Sequence, residues 1–135
     1  MGMDVSGCSP TSEAGEYFRA NIWSWRPIHV LCYELCRDLL DEDTLEYMGA
    51  NNGAGPESGE VCRQMASRFE RWLEHNTEGH SVDLGMRVTT DGRFVTDEIL
   101  AANPNIETLS PYRVTDDHLK EWVAFLRDCG GFEVW

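Results

Sequence analysis

Apolar residues recur at helical spacing in three stretches of the chain. Ile28, Leu31, Cys32, Leu35 and Leu39 make one face of a helix predicted from Pro27 to about Leu40, with His29, Tyr33, Cys36 and Leu40 on the adjoining stripe. Pro27 suits the first turn of that helix, where its missing N–H costs nothing. Val61, Met65, Phe69, Trp72 and Leu73 give a helix from Pro56 to about Asn76 a buried stripe, and charged residues fill its other faces. Leu119, Trp122, Val123, Leu126 and Cys129 line the inner face of a third helix. Thr115 caps it, Asp116 and Asp117 occupy its first turn, and Gly130-Gly131 stops it. Two shorter helical segments are predicted at Glu13–Asn21, weakened by Gly15, and at Asp41–Met48, whose acidic start suits the positive end of the helix dipole.

The remaining pattern is β or loop. Met1–Val5 and Phe132–Trp135 read as short strands that pair and close the chain on itself. Arg87 to Val95 places Asp91-Gly92 between β-formers, the signal of a type I′ hairpin. Gly49 to Pro56 is the clearest loop, and Asn103-Pro104-Asn105 marks another turn. The expectation is an α+β fold: one compact, mainly helical domain over residues 1–135, with a small sheet of the two terminal strands and one hairpin.

A chain of 135 residues can bury a sizeable core without metals or disulfides. The five cysteines are odd in number and form no C-x-x-C pair, so reduced, buried thiols are expected. No apolar run is long enough to span a bilayer, and the first residues lack the basic region and apolar core of a signal peptide. A cytoplasmic location with no membrane partner follows as the expectation.

Charge narrows the function classes. The formal net charge is −13, from 24 acidic and 11 basic residues. That excess excludes a general nucleic-acid binder, which needs cations to displace counterions from phosphates. It permits the reverse, an acidic surface that occupies a basic site on another protein.

Chemistry concentrates between Gly15 and Pro27. Tyr17, Phe18, Trp23 and Trp25 can stack a planar group, Arg19 and Arg26 can fork onto phosphate, and Asn21 can read a base or ribose edge. The same rings can instead fill the core while the arginines pair with Glu13 and Glu16. The glycine-rich loop adds Asn51, Asn52 and Gly53, whose N–H groups can cradle an anion at a helix start. It lacks the G-K-[ST] ending of a P-loop, which argues against nucleotide hydrolysis of that kind. His29, Cys32 and Cys36 lie at metal-ligand spacing, but buried cysteines beside a histidine explain them as well. No catalytic motif is present, and neither a cofactor nor a metal is implied.

The run Gly2-Met-Asp-Val5, then Pro10-Thr-Ser-Glu13, then Gly15-Glu-Tyr-Phe-Arg-Ala-Asn-Ile-Trp-Ser-Trp-Arg-Pro27 resembles a family of small uncharacterised proteins of tailed bacteriophages and bacterial genomes. The ending Gly130-Gly-Phe-Glu-Val134 resembles the close of the same family. The resemblance covers both ends, about a third of the chain. Ala20 stands where the family has Asn, and Ser24 where a third Trp is usual. Asn51-Asn52-Gly53 lacks the acidic residue of the family's N-D-G loop. The resemblance implies a phage or mobile-element setting and a small accessory protein acting on host machinery.

Three functional expectations result. The first is a non-catalytic binding protein that sequesters a small anionic, nucleotide-derived signal as a counter-defence function. It would use Tyr17, Phe18, Arg19, Asn21, Trp23, Trp25, Arg26, Asn51, Asn52 and Gly53. The second is an acidic inhibitor of a host nucleic-acid-binding defence protein. The third is a small nucleotide hydrolase. A homo-oligomer is compatible with each.

Overall fold

The computed structural model describes residues 2–135, so Met1 of the expected first strand lies outside it. In chain order the elements are β1 (Gly2–Gly7), a 3-10 turn (Glu13–Gly15), β2 (Tyr17–Asn21), α1 (Ile22–Cys36), α2 (Glu42–Tyr47), α3 (Gly59–His75), β3 (His80–Ser81), β4 (Arg87–Thr89), β5 (Phe94–Val95), α4 (Asp97–Ala102), β6 (Thr108–Leu109), β7 (Arg113–Val114), α5 (Asp116–Asp128) and β8 (Phe132–Val134). The architecture is α+β, with helices packed on one face of a small antiparallel sheet. Among the described residues, no helix is long and apolar enough to cross a membrane.

The terminal strands pair as their pattern predicts, with Val5 opposite Val134 and Gly7 opposite Phe132. The sheet has a third strand, β2, on the far side of β1, in the order β2-β1-β8. The segment 53–56 runs beside β8 as an irregular fourth strand. Gly53 N donates to Val134 O at 2.7 Å, Val134 N to Ala54 O at 2.9 Å, and Phe132 N to Pro56 O at 2.9 Å. Alternation decides the faces. Met3, Val5, Phe18, Ala20, Phe132 and Val134 turn inward onto the helices and are buried.

The core is aromatic at its centre. Trp122 on α5 is fully buried, with ring centroids of Phe18, Trp25, Phe69, Phe125 and Phe132 between 5.0 and 6.2 Å away. The inner face expected for α5 is buried throughout, as are Met65 and Phe69 of α3. Ser58 and Thr115 cap α3 and α5.

Three local expectations are corrected. Glu13–Asn21 is not a helix: after the 3-10 turn, residues 17–21 alternate exposed and buried, the period of a strand. Pairing with β1 outweighs the weak helical spacing there. Second, Pro27 does not open α1. Asn21 is the cap, its side chain accepting from Ser24 N at 2.9 Å, and Pro27 lies one and a half turns in. Third, Asp91-Gly92 is not a type I′ turn, because Asp91 has no positive φ and only Gly92, at +92°, is left-handed. Gly92 N donates to Thr89 O and Thr89 N to Arg93 O, which is the pattern of a type I turn closed by a glycine bulge.

α1 also stops at Cys36, short of Leu40. Arg68 of α3 reaches across and donates Nη1 to Leu35 O at 2.7 Å, while its fork grips Asp38 with two bonds of 2.8 Å. A terminal helix carbonyl and a carboxylate are thus held by one planar group, and the Arg68 contact holds Asp38 at a pKa of about 2. Arg68→Lys keeps the charge but loses the fork. The expected result, read by thermal denaturation, is a melting temperature lower by about 2–5 °C.

Candidate functional site

The ten residues singled out by sequence occupy three different environments. Phe18 and Trp25 are core residues, 4% and 0% exposed. Phe18 lies under β2 against His118, Trp122 and Phe125. Trp25 donates its indole N–H to Met48 O at 2.9 Å, tying α1 to the end of α2. The adjoining turn of α1 makes a matching tie: His29 Nε2 lies 2.5 Å from Leu45 O. Neither indole nor imidazole is available to a ligand.

The second group stands on the solvent face of the sheet. Tyr17, Arg19 and Asn21 alternate outward along β2. Asn21 is occupied as the α1 cap. Arg19 lies 3.6 Å from Asp4, and the Tyr17 hydroxyl donates to the same carboxylate. Directly after β8, Trp135 lies opposite Asp4 of β1 through two backbone bonds of 2.7 and 3.1 Å, and its indole N–H reaches Glu133 at 3.0 Å. Gly53 lies against the Trp135 ring, where a Cβ would stand 2.7 Å from it. The glycine-rich loop and the outward half of the aromatic stretch therefore meet on one sheet face. Arg19 on that face is already paired with Asp4. The anion cradle expected of the loop is not formed. Gly53 N bonds β8, Asn52 N bonds Ala50 O, and the Asn52 side chain accepts from Ala54 N at 3.2 Å.

The third group surrounds Trp23, half-buried on α1. Its ring lies 5.1 Å from Tyr112 and 5.8 Å from Phe94, and the Tyr112 hydroxyl points to Met86 sulfur at 3.4 Å. Phe94 is 55% exposed. Arg26, one turn along α1, is exposed and has no ion pair among the described residues. Sequence reasoning missed Met86, Phe94 and Tyr112 because each comes from a strand or loop more than sixty residues from Trp23. The available signal was the alternation of Val82, Leu84, Met86 and Val88, which has the period of a strand and leads into β4.

Arg19, Asn21 and Arg26 do not converge on a cavity. Clefts of 470 Å³ between α3 and α5 and of 440 Å³ beside Leu39, Leu40 and Pro56 are lined by other residues. His29, Cys32 and Cys36 do not face one another as ligands: both thiols are fully buried and His29 is engaged with α2.

Burial lowers the pKa of His29; the contact with Leu45 O works against this, and the positive charge of Arg26 adds to the lowering. The unfolded chain therefore takes up a proton more readily than the folded one. This contribution to stability is complete above the unfolded value of about 6.5 and is lost as pH falls through the depressed folded value. The melting temperature is expected to decline between pH 7 and 5, and the decline should flatten in His29→Gln.

Charge is the remaining feature. None of the carboxylates is buried among the described residues. Among the described residues, six ion pairs engage six of the eleven cations and six of the twenty-four carboxylates, which leaves eighteen carboxylates against five cations. The densest run is at the end of α1 and over α2, where Glu34, Asp38, Asp41, Glu42, Asp43 and Glu46 are all exposed. Compared with known proteins, the chain matches no family model, no curated protein and no solved structure.

Proposed function

We propose that this chain is a non-catalytic, acidic binding protein that occupies a basic site on a nucleic-acid-binding protein, acting in a host cytoplasm as a counter-defence factor of a phage or mobile element. The observation that carries this reading is the unpaired carboxylate excess. Eighteen carboxylates without a cationic partner among the described residues, all at the surface, form an anionic field that steers a basic partner and competes with phosphate for it. The run over α1 and α2 is its centre: six of its residues between 37 and 46 are charged, and the arginine among them, Arg37, lies 5.5 Å over the Tyr33 ring. A ligand-sequestering role draws less support, since two of the stacking rings are core and the candidate arginines face open solvent.

The test is displacement. The chain is titrated into complexes of double-stranded DNA with a panel of bacterial defence nucleases. Release of DNA is expected at low salt, with a steep loss as ionic strength rises. Replacing Glu42, Asp43 and Glu46 together by Lys is expected to weaken release by about tenfold or more. Failure to release DNA from any complex counts against the proposal. Saturable binding of a nucleotide in calorimetry would restore the sequestering role in its place.

A further inference from the structure

We propose that Asn52-Gly53 is a site of self-modification: Asn52 deamidates through a cyclic imide, and pairing with β8 holds the reaction back. The backbone nitrogen that follows an asparagine can attack its side-chain carbonyl carbon. A following glycine has no side chain to hinder the five-membered closure. Asn52 is the one asparagine of the chain followed by Gly; the others precede Asn, Ile, Thr or Pro. The step balances with water alone. Gly53 N loses its proton and bonds to Asn52 Cγ, the Cγ–Nδ2 bond breaks, and Nδ2 leaves with that proton as ammonia. Water then opens the imide at either carbonyl. One opening leaves aspartate at position 52. The other leaves isoaspartate, whose main chain runs through Cγ and is one methylene longer.

The fold uses both residues of this labile pair. Gly53 has φ +87°, and a Cβ there would stand 2.7 Å from the Trp135 ring, so a bulkier residue that would slow the attack does not fit. The Asn52 side chain accepts from Ala54 N at 3.2 Å, which polarises the carbonyl under attack. Asn52 is exposed, so water reaches the imide.

The same fold withholds the nucleophile. Gly53 N–H donates to Val134 O at 2.7 Å, and Val134 N–H donates to Ala54 O at 2.9 Å, so β8 grips both residues after Asn52. Attack requires Gly53 N to leave Val134 O, and so requires the segment 53–54 to part from β8. That opening is local and costs less than unfolding the chain. The product feeds back on the structure. The isoaspartyl chain is longer just before the two bonds to Val134, and both cannot re-form at the original spacing. Aged molecules therefore lose the flanking segment of β8. The inference is independent of the acidic-inhibitor reading, since its readouts are mass and amide exchange and not release of DNA.

Incubation of the full chain in mildly alkaline buffer, followed by peptide mapping in a mass spectrometer, tests it. The peptide containing residue 52 is expected to gain the mass difference between an amide and a carboxylic acid, and to become a substrate for an isoaspartyl methyltransferase. The folded chain should react about tenfold or more slowly than the same chain in denaturant. Trp135→Ala uncovers Gly53 at an exposed position and should raise the folded rate about threefold or more. Asn52→Gln, which needs a six-membered ring, should give no product. In the modified chain the Val134 amide should exchange faster than in the fresh one. Absence of product at residue 52 in denaturant overturns the site. Equal rates in folded and denatured chains overturn the restraint by β8. Should Trp135→Ala fail to fold by circular dichroism, the comparison of folded and denatured wild-type chain decides alone.

Discussion

Trp122→Ala is expected to lower the melting temperature by about 10–20 °C, because truncating a buried Trp costs about 3–5 kcal/mol against a total stability of about 5–15 kcal/mol. The indole is fully buried and touches aromatic rings from β2, α1, α3, α5 and β8. Every major element loses a contact at once, and the cavity lies where five elements meet and none can collapse alone. Two gentler substitutions isolate the polar part. The Trp122 N–H has no hydrogen-bond partner among the described residues, so Trp122→Phe removes an unsatisfied donor together with some volume. The Trp25 N–H does have one, and Trp25→Phe leaves Met48 O without its donor at a cost of about 1–3 kcal/mol. Denaturant melts are expected to rank Trp122→Ala as most damaging, then Trp25→Phe, then Trp122→Phe. If Trp122→Phe were as damaging as Trp25→Phe, the indole of Trp122 would have a partner.

The parts of the fold legible in the sequence are those in which one local period holds for several turns. The stripes of α3 and α5 repeat over three or more turns and are buried as the spacing predicts. Thr115 caps its helix through a bond within three residues, which is a local event. β2 was not legible because Tyr17–Asn21 is short and its strand character depends on β1, more than ten residues away. Pro27 misled for a related reason. It suits a first turn, but Asn21 makes a real cap, and the run from Ile22 is held helical by distant bonds such as that of Trp25 to Met48.

The candidate site was legible as composition and not as geometry. Charge excess needs only counting, and among the described residues the surface carries it without a buried acid. The direction of each ring does not follow from its presence. Within β2 the alternation separates Phe18 from Tyr17 and Arg19, and on α1 a single residue, Ser24, separates buried Trp25 from half-buried Trp23. Residues near the two ends of the chain serve assembly. Loop 8–11 and Gly130-Gly131, far apart in sequence, meet at the end of α5. Thr11 N donates to Asp128 O at 2.8 Å, Ser9 N to Cys129 O at 3.0 Å and Cys8 N to Gly131 O at 2.8 Å.

That junction makes Gly131→Ala the other substitution with a large expected effect. Helix α5 ends with free carbonyls, and loop 8–11 supplies their donors. The approach requires the chain after α5 to have no side chains. Gly130, at φ +65°, lies against the Ser9 backbone, and Gly131, at φ +96°, lies against the backbone carbonyl of Glu57. Alanine at 131 meets two penalties. The left-handed conformation costs about 1–2 kcal/mol, and the new Cβ collides with a carbonyl that is not a flexible chain end. Relieving the collision moves residues 56–58 away from β8, which threatens the bond from Phe132 N to Pro56 O and the cap of α3 at Ser58. The expected fall in melting temperature is about 10 °C or more. Gly92→Ala separates the two penalties. Gly92 has a similar φ of +92° and nothing within 4 Å, so only the conformational cost applies and the fall should be about 3–6 °C. Equal effects of the two substitutions in the same melting experiment would mean that strain alone matters. The close packing of Gly131 on Glu57 would then contribute nothing to holding the chain ends together.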